Sequence, residues 1–249
     1  MNHYLKPLFV GIFFSVATNA QAAEIKVAVA SNFANVLKEI AFEFQKDTGH
    51  QLAITPGATG KFYAQINNGA PFDVFFSADD ETPTKLVKEG KAVAASQFTY
   101  AIGRLALWSP LPELIDKTPD VLKTDKFKFL AIANAKVAPY GQAAVLTMQK
   151  LGLLSKLEPR IVQGESISQT YQFVATGNAQ LGFVALSQIL EHGKIKSGSA
   201  WVVPEEMHDQ LKQDAVVLGA CKQPVVCQTL LDYLKSDKAK TIMTSYGYK

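Results

Sequence analysis

Two α/β lobes with a ligand cleft between them are predicted by three features of the sequence. Three strand–turn–helix units follow one another between residues 25 and 89, the pattern of an open, mostly parallel sheet with helices on both faces. A second set of such units occupies residues 129–185. In each set the strands run into turns of small or hydroxyl-bearing residues, and ligands of open α/β sheets sit at those carboxyl ends.

The first 22 residues read as an export signal. Lys6 supplies a positive start, Pro7 to Ala17 is an apolar run, and Ala20-Gln21-Ala22 has the small-x-small form of a cleavage site. The run is short for a bilayer span, and no Cys follows to carry a lipid. A mature chain starting near Ala23, exported and soluble, is expected.

Ile25 to Ala30 is β-branched and almost uncharged, the pattern of a buried parallel strand. Ser31-Asn32 follows, and Asn35 to Lys46 is an amphipathic helix with Val36, Leu37, Ile40 and Phe44 on one face. Alone, Ser31 and Asn32 are ordinary helix caps. Gly49 ends the helix, and Gln51 to Thr55 forms the next strand. Pro56-Gly57-Ala58-Thr59-Gly60-Lys61 then turns into a helix carrying Phe62 and Ile66. Phe72 to Phe76 is a third strand, ending in Ser77-Ala78-Asp79 before a helix over Thr84 to Glu89, with Asp79 as its cap. Ser31, Asn32, Thr59 and Ser77 thus fall at equivalent strand ends, which raises them above mere capping.

Tyr100 to Trp108 reads as one long apolar strand, stopped by Ser109-Pro110. A loop-rich stretch to Phe127 holds a short helix at Pro119 to Lys123. Phe129 to Ala133 is a strand; its turn contains Pro139-Tyr140-Gly141 and leads to a helix over Gln142 to Leu151. Arg160 to Gln163, Gln180 to Ala185, Trp201 to Pro204 and Ala215 to Leu218 are further strands, and Gly164 to Ser168 opens the helix containing Tyr171 to Thr176. Val225 to Tyr246 is mostly helix with a break near Ser236-Asp237. The expected division is a first lobe over 23–103, a second over 104–213, and a return to the first over 214–249. Such an interface between lobes is where small ligands bind.

About 227 residues remain after the signal, enough for this arrangement, and 48% hydrophobic content supports real cores. Without Lys6, the 25 basic side chains fall to 24 against 22 acidic ones. That near balance, with the basic residues scattered, argues against a nucleic-acid surface. Cys221 and Cys227 are the only cysteines. In an exported chain they read first as a short-loop disulfide, with two free buried thiols as the alternative. A metal site would lack a neighbouring His to complete it.

Nucleophilic catalysis needs a base beside the nucleophile. His50, His192 and His208 lie away from the predicted strand ends, His208 in what reads as an exposed polar stretch beside Glu205 and Glu206, and there is no G-x-S-x-G elbow. No catalytic residue, direct metal ligand or cofactor is expected. Gly57 to Lys61 is not a phosphate loop, because its glycines are too close and Phe62 follows the lysine. What remains is a nest of N–H groups suited to a bare oxyanion. The candidate donors Ser31, Asn32, Thr59, Tyr140 and the N–H at Ile167 are all uncharged. Fixed neutral donors select by size and by full deprotonation, since an O–H on the ligand would find no acceptor.

Val-Ala-Val-Ala-Ser-Asn-Phe (27–33), Gly-Ala-Thr-Gly-Lys-Phe-Tyr-Ala-Gln-Ile (57–66) and Gly-Ala-Pro-Phe-Asp-Val-Phe-Phe-Ser-Ala-Asp (69–79) closely resemble the periplasmic molybdate-binding proteins of ABC transporters. Pro139-Tyr140-Gly141, Gly164 to Ile167, Gln180 to Ala185, Leu231 to Ser236 and Tyr246-Gly247-Tyr248 continue the resemblance across the mature chain. It implies a type II periplasmic solute-binding fold that closes on molybdate or tungstate and hands it to a membrane permease, with no cofactor and as a monomer. The family's oxyanion donors fall on Ser31, Asn32 and Thr59 from the first lobe and on Tyr140 and Ile167 from the second. Ile167 would act through its backbone N–H, and Thr59 through hydroxyl and N–H together. Where one branch of the family carries a tyrosine, this chain has Ala185, and Tyr140 would serve as in the other branch. The alternatives are another tetrahedral oxyanion such as sulfate, or a secreted hydrolase using Ser31 or Ser77.

Overall fold

The computed structural model describes residues 22–249 except His192, so the expected export signal lies outside the described residues up to Gln21. The chain begins with β1 (Glu24–Ala30), α1 (Ala34–Thr48), β2 (Gln51–Gly57), α2 (Thr59–Asn67), β3 (Val74–Phe76) and α3 (Glu81–Lys88). β1 pairs in parallel with β2 on one side and β3 on the other. Val27, Val29 and the α1 residues Val36, Leu37, Ile40 and Phe44 are buried in one cluster, while Ala28 faces Phe62, Ile66 and Phe75 on the other side of the sheet. This two-sided burial explains the uninterrupted apolar runs of the strands. Gly49 closes α1 at φ 78°, the left-handed region that glycine enters without strain. Asp79 Oδ1 accepts from the Thr82 N–H at 2.8 Å and so caps α3.

The apolar run from Tyr100 to Trp108 is not one strand. It divides at Arg104 into β4 (Phe98–Gly103) and β5 (Leu105–Ser109), which belong to different sheets. The run is continuous because both halves are buried, and burial alone carries no information about which sheet a strand joins. The second lobe continues with β6 (Leu130–Ala133), α4 (Pro139–Lys150), α5 (Leu154–Leu157), β7 (Ile161–Gly164), α6 (Ile167–Ala175), β8 (Leu181–Ala185) and α7 (Leu186–Ile189). A two-strand hairpin of β9 (Leu190–Glu191) and β10 (Lys194–Ile195) and then β11 (Ser199–Val202) complete it. β12 (Leu211–Val217), α8 (Pro224–Tyr233) and α9 (Asp237–Ser245) return to the first lobe, the return strand starting three residues before the expected Asp214.

The two five-stranded sheets have the orders β2-β1-β3-β12-β4 and β7-β6-β8-β5-β11. Each contains a parallel trio, β2-β1-β3 in one and β7-β6-β8 in the other, and each ends on two strands introduced by antiparallel pairing. The lobes are therefore built alike and are tied by two crossings, at Arg104 and through 203–210. The chain end reinforces the hinge, with Lys249 exchanging backbone hydrogen bonds with Ile102 of β4. Among the described residues no helix is long and apolar enough to cross a membrane.

Candidate functional site

The carboxyl ends of β1 and β2 face the amino ends of α4 and α6 across the cleft and border a small cavity. Ser31, Asn32, Thr59, Tyr140 and Ile167 all line it, with Ala30, Gly57, Ala58, Ala78, Ala138 and Pro139 between them. The cavity leaves about 10 Å³ for the centre of a water-sized sphere, roughly one sphere's worth, which is room for a small ion and little more. Gly57 is required locally, since a Cβ there would sit 2.8 Å from the Phe62 ring. Ser77 does not reach the cavity. Its hydroxyl donates to Asp79 Oδ1 at 3.0 Å and its neighbour Ala78 takes the lining position.

Three helices aim their first turns at this space. Thr59 and Ile167 are the first residues of α2 and α6, and Tyr140 is the second of α4, behind Pro139. N–H groups in a first turn have no intrahelical acceptor, and the helix dipole makes such ends positive. The α4 helix starts three residues earlier than its apolar spacing predicts, because Pro at the first position is already set for helix. That earlier start carries Tyr140 from a loop into the helical turn.

The three hydroxyls share a polarity. Ser31 Oγ accepts from the Ser168 N–H at 3.4 Å, Thr59 Oγ1 from the Ala78 N–H at 3.1 Å, and the Tyr140 oxygen from Gln213 Nε2 at 3.1 Å. A hydroxyl has one proton, so an oxygen already receiving a donor is left to donate. Burial pushes the Tyr140 phenol well above its usual titration range, with the nearby Tyr248 adding to the effect, so it stays protonated and able to donate. Among the described residues no charged side chain lines the cavity. Asn32 behaves differently from its hydroxyl neighbours. Its Nδ2 hydrogens go to Gln213 Oε1 at 2.8 Å and Tyr248 OH at 2.9 Å, leaving Oδ1 without a partner. Its carbonyl accepts from Ser187 Oγ and the Tyr248 hydroxyl, so the backbone N–H is the donor Asn32 has left for the cavity.

The lobes are closed around this space. The Gly60 N–H donates to the Val137 carbonyl at 2.9 Å, and Ser187 Oγ donates to the Asn32 carbonyl at the same distance. Lys61 and Glu165 form a half-exposed ion pair across the mouth at 2.8 Å, and Lys61 holds the Glu165 carboxyl below its ordinary range. Ala185, at the strand end where the related branch has tyrosine, is fully buried, and its N–H donates to Gln188 Oε1 at 3.0 Å.

Other polar groups fall outside the cavity. His208 is 7% exposed rather than part of a solvated stretch, with Nδ1 2.7 Å from the Asp209 carbonyl. The polar sequence around it concealed that the crossing segment packs between lobes. Cys221 and Cys227 are bonded to each other, so the cluster they form with Asp73 offers no thiolate pair to a metal. Sequence reasoning missed Gln213, Tyr100 and Tyr248, which form the layer behind the cavity. No local signal marks Gln213: it stands between Lys212 and Asp214, in a polar stretch placed outside the strand because the apolar run starts at Ala215.

A hinged pair of lobes that closes helix ends and oriented, uncharged donors on a small buried space defines a receptor for a compact anion. The match to the bacterial extracellular solute-binding proteins runs over residues 25–249. The molybdate-binding protein ModA of Azotobacter vinelandii is 54% identical over 94% of this chain and 92% of its own length. ModA of Rhodobacter capsulatus is 48% identical over 95% and 92%. The solved structure of the Azotobacter vinelandii periplasmic molybdate-binding protein superposes with a TM-score of 0.88, at 42% identity over 90% of this chain and 98% of that one. The chain belongs to the bacterial extracellular solute-binding proteins and, within them, to the ModA family. A mycobacterial sulfate-binding protein shares the fold at a TM-score of 0.74 and 11% identity, a likeness of architecture only.

Proposed function

We propose that this protein binds molybdate, and tungstate through the same contacts, and delivers it to the membrane permease of an ABC transporter. The observation that carries the reading is the common polarity of Ser31, Thr59 and Tyr140. Each oxygen is occupied by an N–H, so each proton is available to a fully deprotonated oxyanion. Helix ends at Thr59, Tyr140 and Ile167 supply further donors and positive potential without a fixed cation. The names of the relatives at 54% and 48% identity support molybdate as the anion. Export to the periplasm, with cleavage near Ala22, belongs to the same proposal.

Neutral donors suit this task because the anion's charge is spread over several oxygens, each needing only a hydrogen bond to replace its water. An arginine would attract carboxylates and phosphates as well. Closure then places both lobes' donors on one ion, so binding energy and lobe closure are the same event. The test is a thermal-shift panel of molybdate, tungstate, sulfate, phosphate and chromate. Molybdate and tungstate at low micromolar concentration are expected to raise the melting temperature, with sulfate ineffective even in large excess. Equal protection by sulfate or phosphate would sink the specificity claim.

A further inference from the structure

Gln213 lies outside the cavity lining, is fully buried, and connects both lobes through one amide. Its Oε1 accepts from Asn32 Nδ2 at 2.8 Å, and the Tyr100 hydroxyl stands 2.9 Å from the same oxygen. Its Nε2 donates to the Tyr140 hydroxyl at 3.1 Å. Turning this amide over would set its N–H₂ against that of Asn32, two donors with no acceptor between them. The orientation is therefore fixed by the neighbours.

The backbone is shaped for the same contact. The pairing of β12 with β4 shifts register between Gln213 and Asp214, an irregularity of the kind that re-aims a side chain. On β4, two residues beyond Ala101, the register partner of Gln213, lies Gly103, where a Cβ would run into both Gln213 Nε2 and the Tyr140 oxygen. Asn32 and Tyr100 belong to the first lobe and Tyr140 to the second, so the amide bridges the lobes beside the hinge.

We propose that Gln213 is a positioning residue for anion binding: it holds the Tyr140 oxygen as an acceptor on the hinge side, so that the phenol's one proton is directed at the ligand. With an acceptor in place of Nε2, Tyr140 would donate backwards and turn lone pairs toward the anion. The inference rests on the oxyanion reading of the cavity. It adds that the donor strength of one lobe is set by a residue on the other that never touches the ligand.

The test is a double-mutant cycle with molybdate titrated calorimetrically into the unmodified chain, Gln213→Met, Tyr140→Phe and the double variant. Gln213→Met is expected to weaken binding about tenfold when Tyr140 is present. It should cost about threefold or less in the Tyr140→Phe background, where there is no proton to orient. Equal losses in both backgrounds, or no loss in the first, would overturn the proposal. If Gln213→Met does not fold, Gly103→Ala carries the same test, since its Cβ separates Gln213 from Tyr140. Its loss should likewise shrink in the Tyr140→Phe background, and unchanged binding by Gly103→Ala would overturn the proposal. Failure of the unmodified chain to bind molybdate would instead overturn the ligand assignment.

Discussion

A hydroxyl in this cavity is useful only because something else occupies its oxygen, and the occupants differ in kind. Thr59 is held by a backbone N–H, that of Ala78, whereas Tyr140 is held by a side-chain amide, Gln213. Thr59→Ala removes the proton and leaves the Ala78 N–H without this acceptor. Tyr140→Phe removes the proton and leaves Gln213 Nε2 without its partner. In both cases a charged acceptor loses one hydrogen bond, and a loss of about 1–3 kcal/mol in molybdate binding is expected from calorimetry. Full affinity in both variants would place the site elsewhere. The identity of these donors could be read from the sequence, because strand-end hydroxyls stand out beside apolar runs. Their direction could not: it is set by Ser168, Ala78 and Gln213, of which Ser168 and Gln213 lie 137 and 73 residues from the oxygens they hold.

At the level of elements, local pattern located the strand–turn–helix units and their order, and it failed where long-range pairing decides. The run from Tyr100 to Trp108 is equally apolar on both sides of Arg104, yet β4 and β5 join different sheets. His208 sits among acidic residues and is nonetheless buried, because the crossing segment lies between lobes. The closing of the lobes is likewise invisible in the chain, and one of its contacts depends on a small residue. The Gly60 N–H meets the Val137 carbonyl, and a Cβ at Gly60 would stand 3.0 Å from Val137 Cα, a backbone atom that cannot swing aside. Gly60→Ala is therefore expected to hold α2 away from the second lobe. It should speed ligand release while leaving association little changed, as read by stopped-flow kinetics. Release as slow as in the unmodified chain would show that the lobes close without this contact.

The whole molecule separates binding from one of its stabilising devices by using opposite ends of the same sheet. The cavity lies at the carboxyl ends of β1 and β2, while Cys221 and Cys227 lie near the amino ends of β1 and β3, where Cys227 borders a second cavity with Glu24, Ile25 and Asp73. The disulfide links residues 6 apart, joining the end of the return strand's turn to α8. Closing so short a loop restricts the unfolded chain only slightly, worth about 2 kcal/mol in the chain-entropy view. α8 also packs its Cys227, Leu230 and Leu231 into the first lobe's core, so the helix stays docked without the bond. Reduction, or replacement of both cysteines by serine, is accordingly expected to lower the melting temperature and to leave the molybdate dissociation constant unchanged. Because ligand stabilisation depends only on concentration relative to that constant, the shift produced by molybdate should be the same in free energy with and without reductant. A dissociation constant that changed on reduction would mean that strain at the amino ends of the strands reaches the cavity along the sheet, and the two ends would then have to be treated as one cooperative unit.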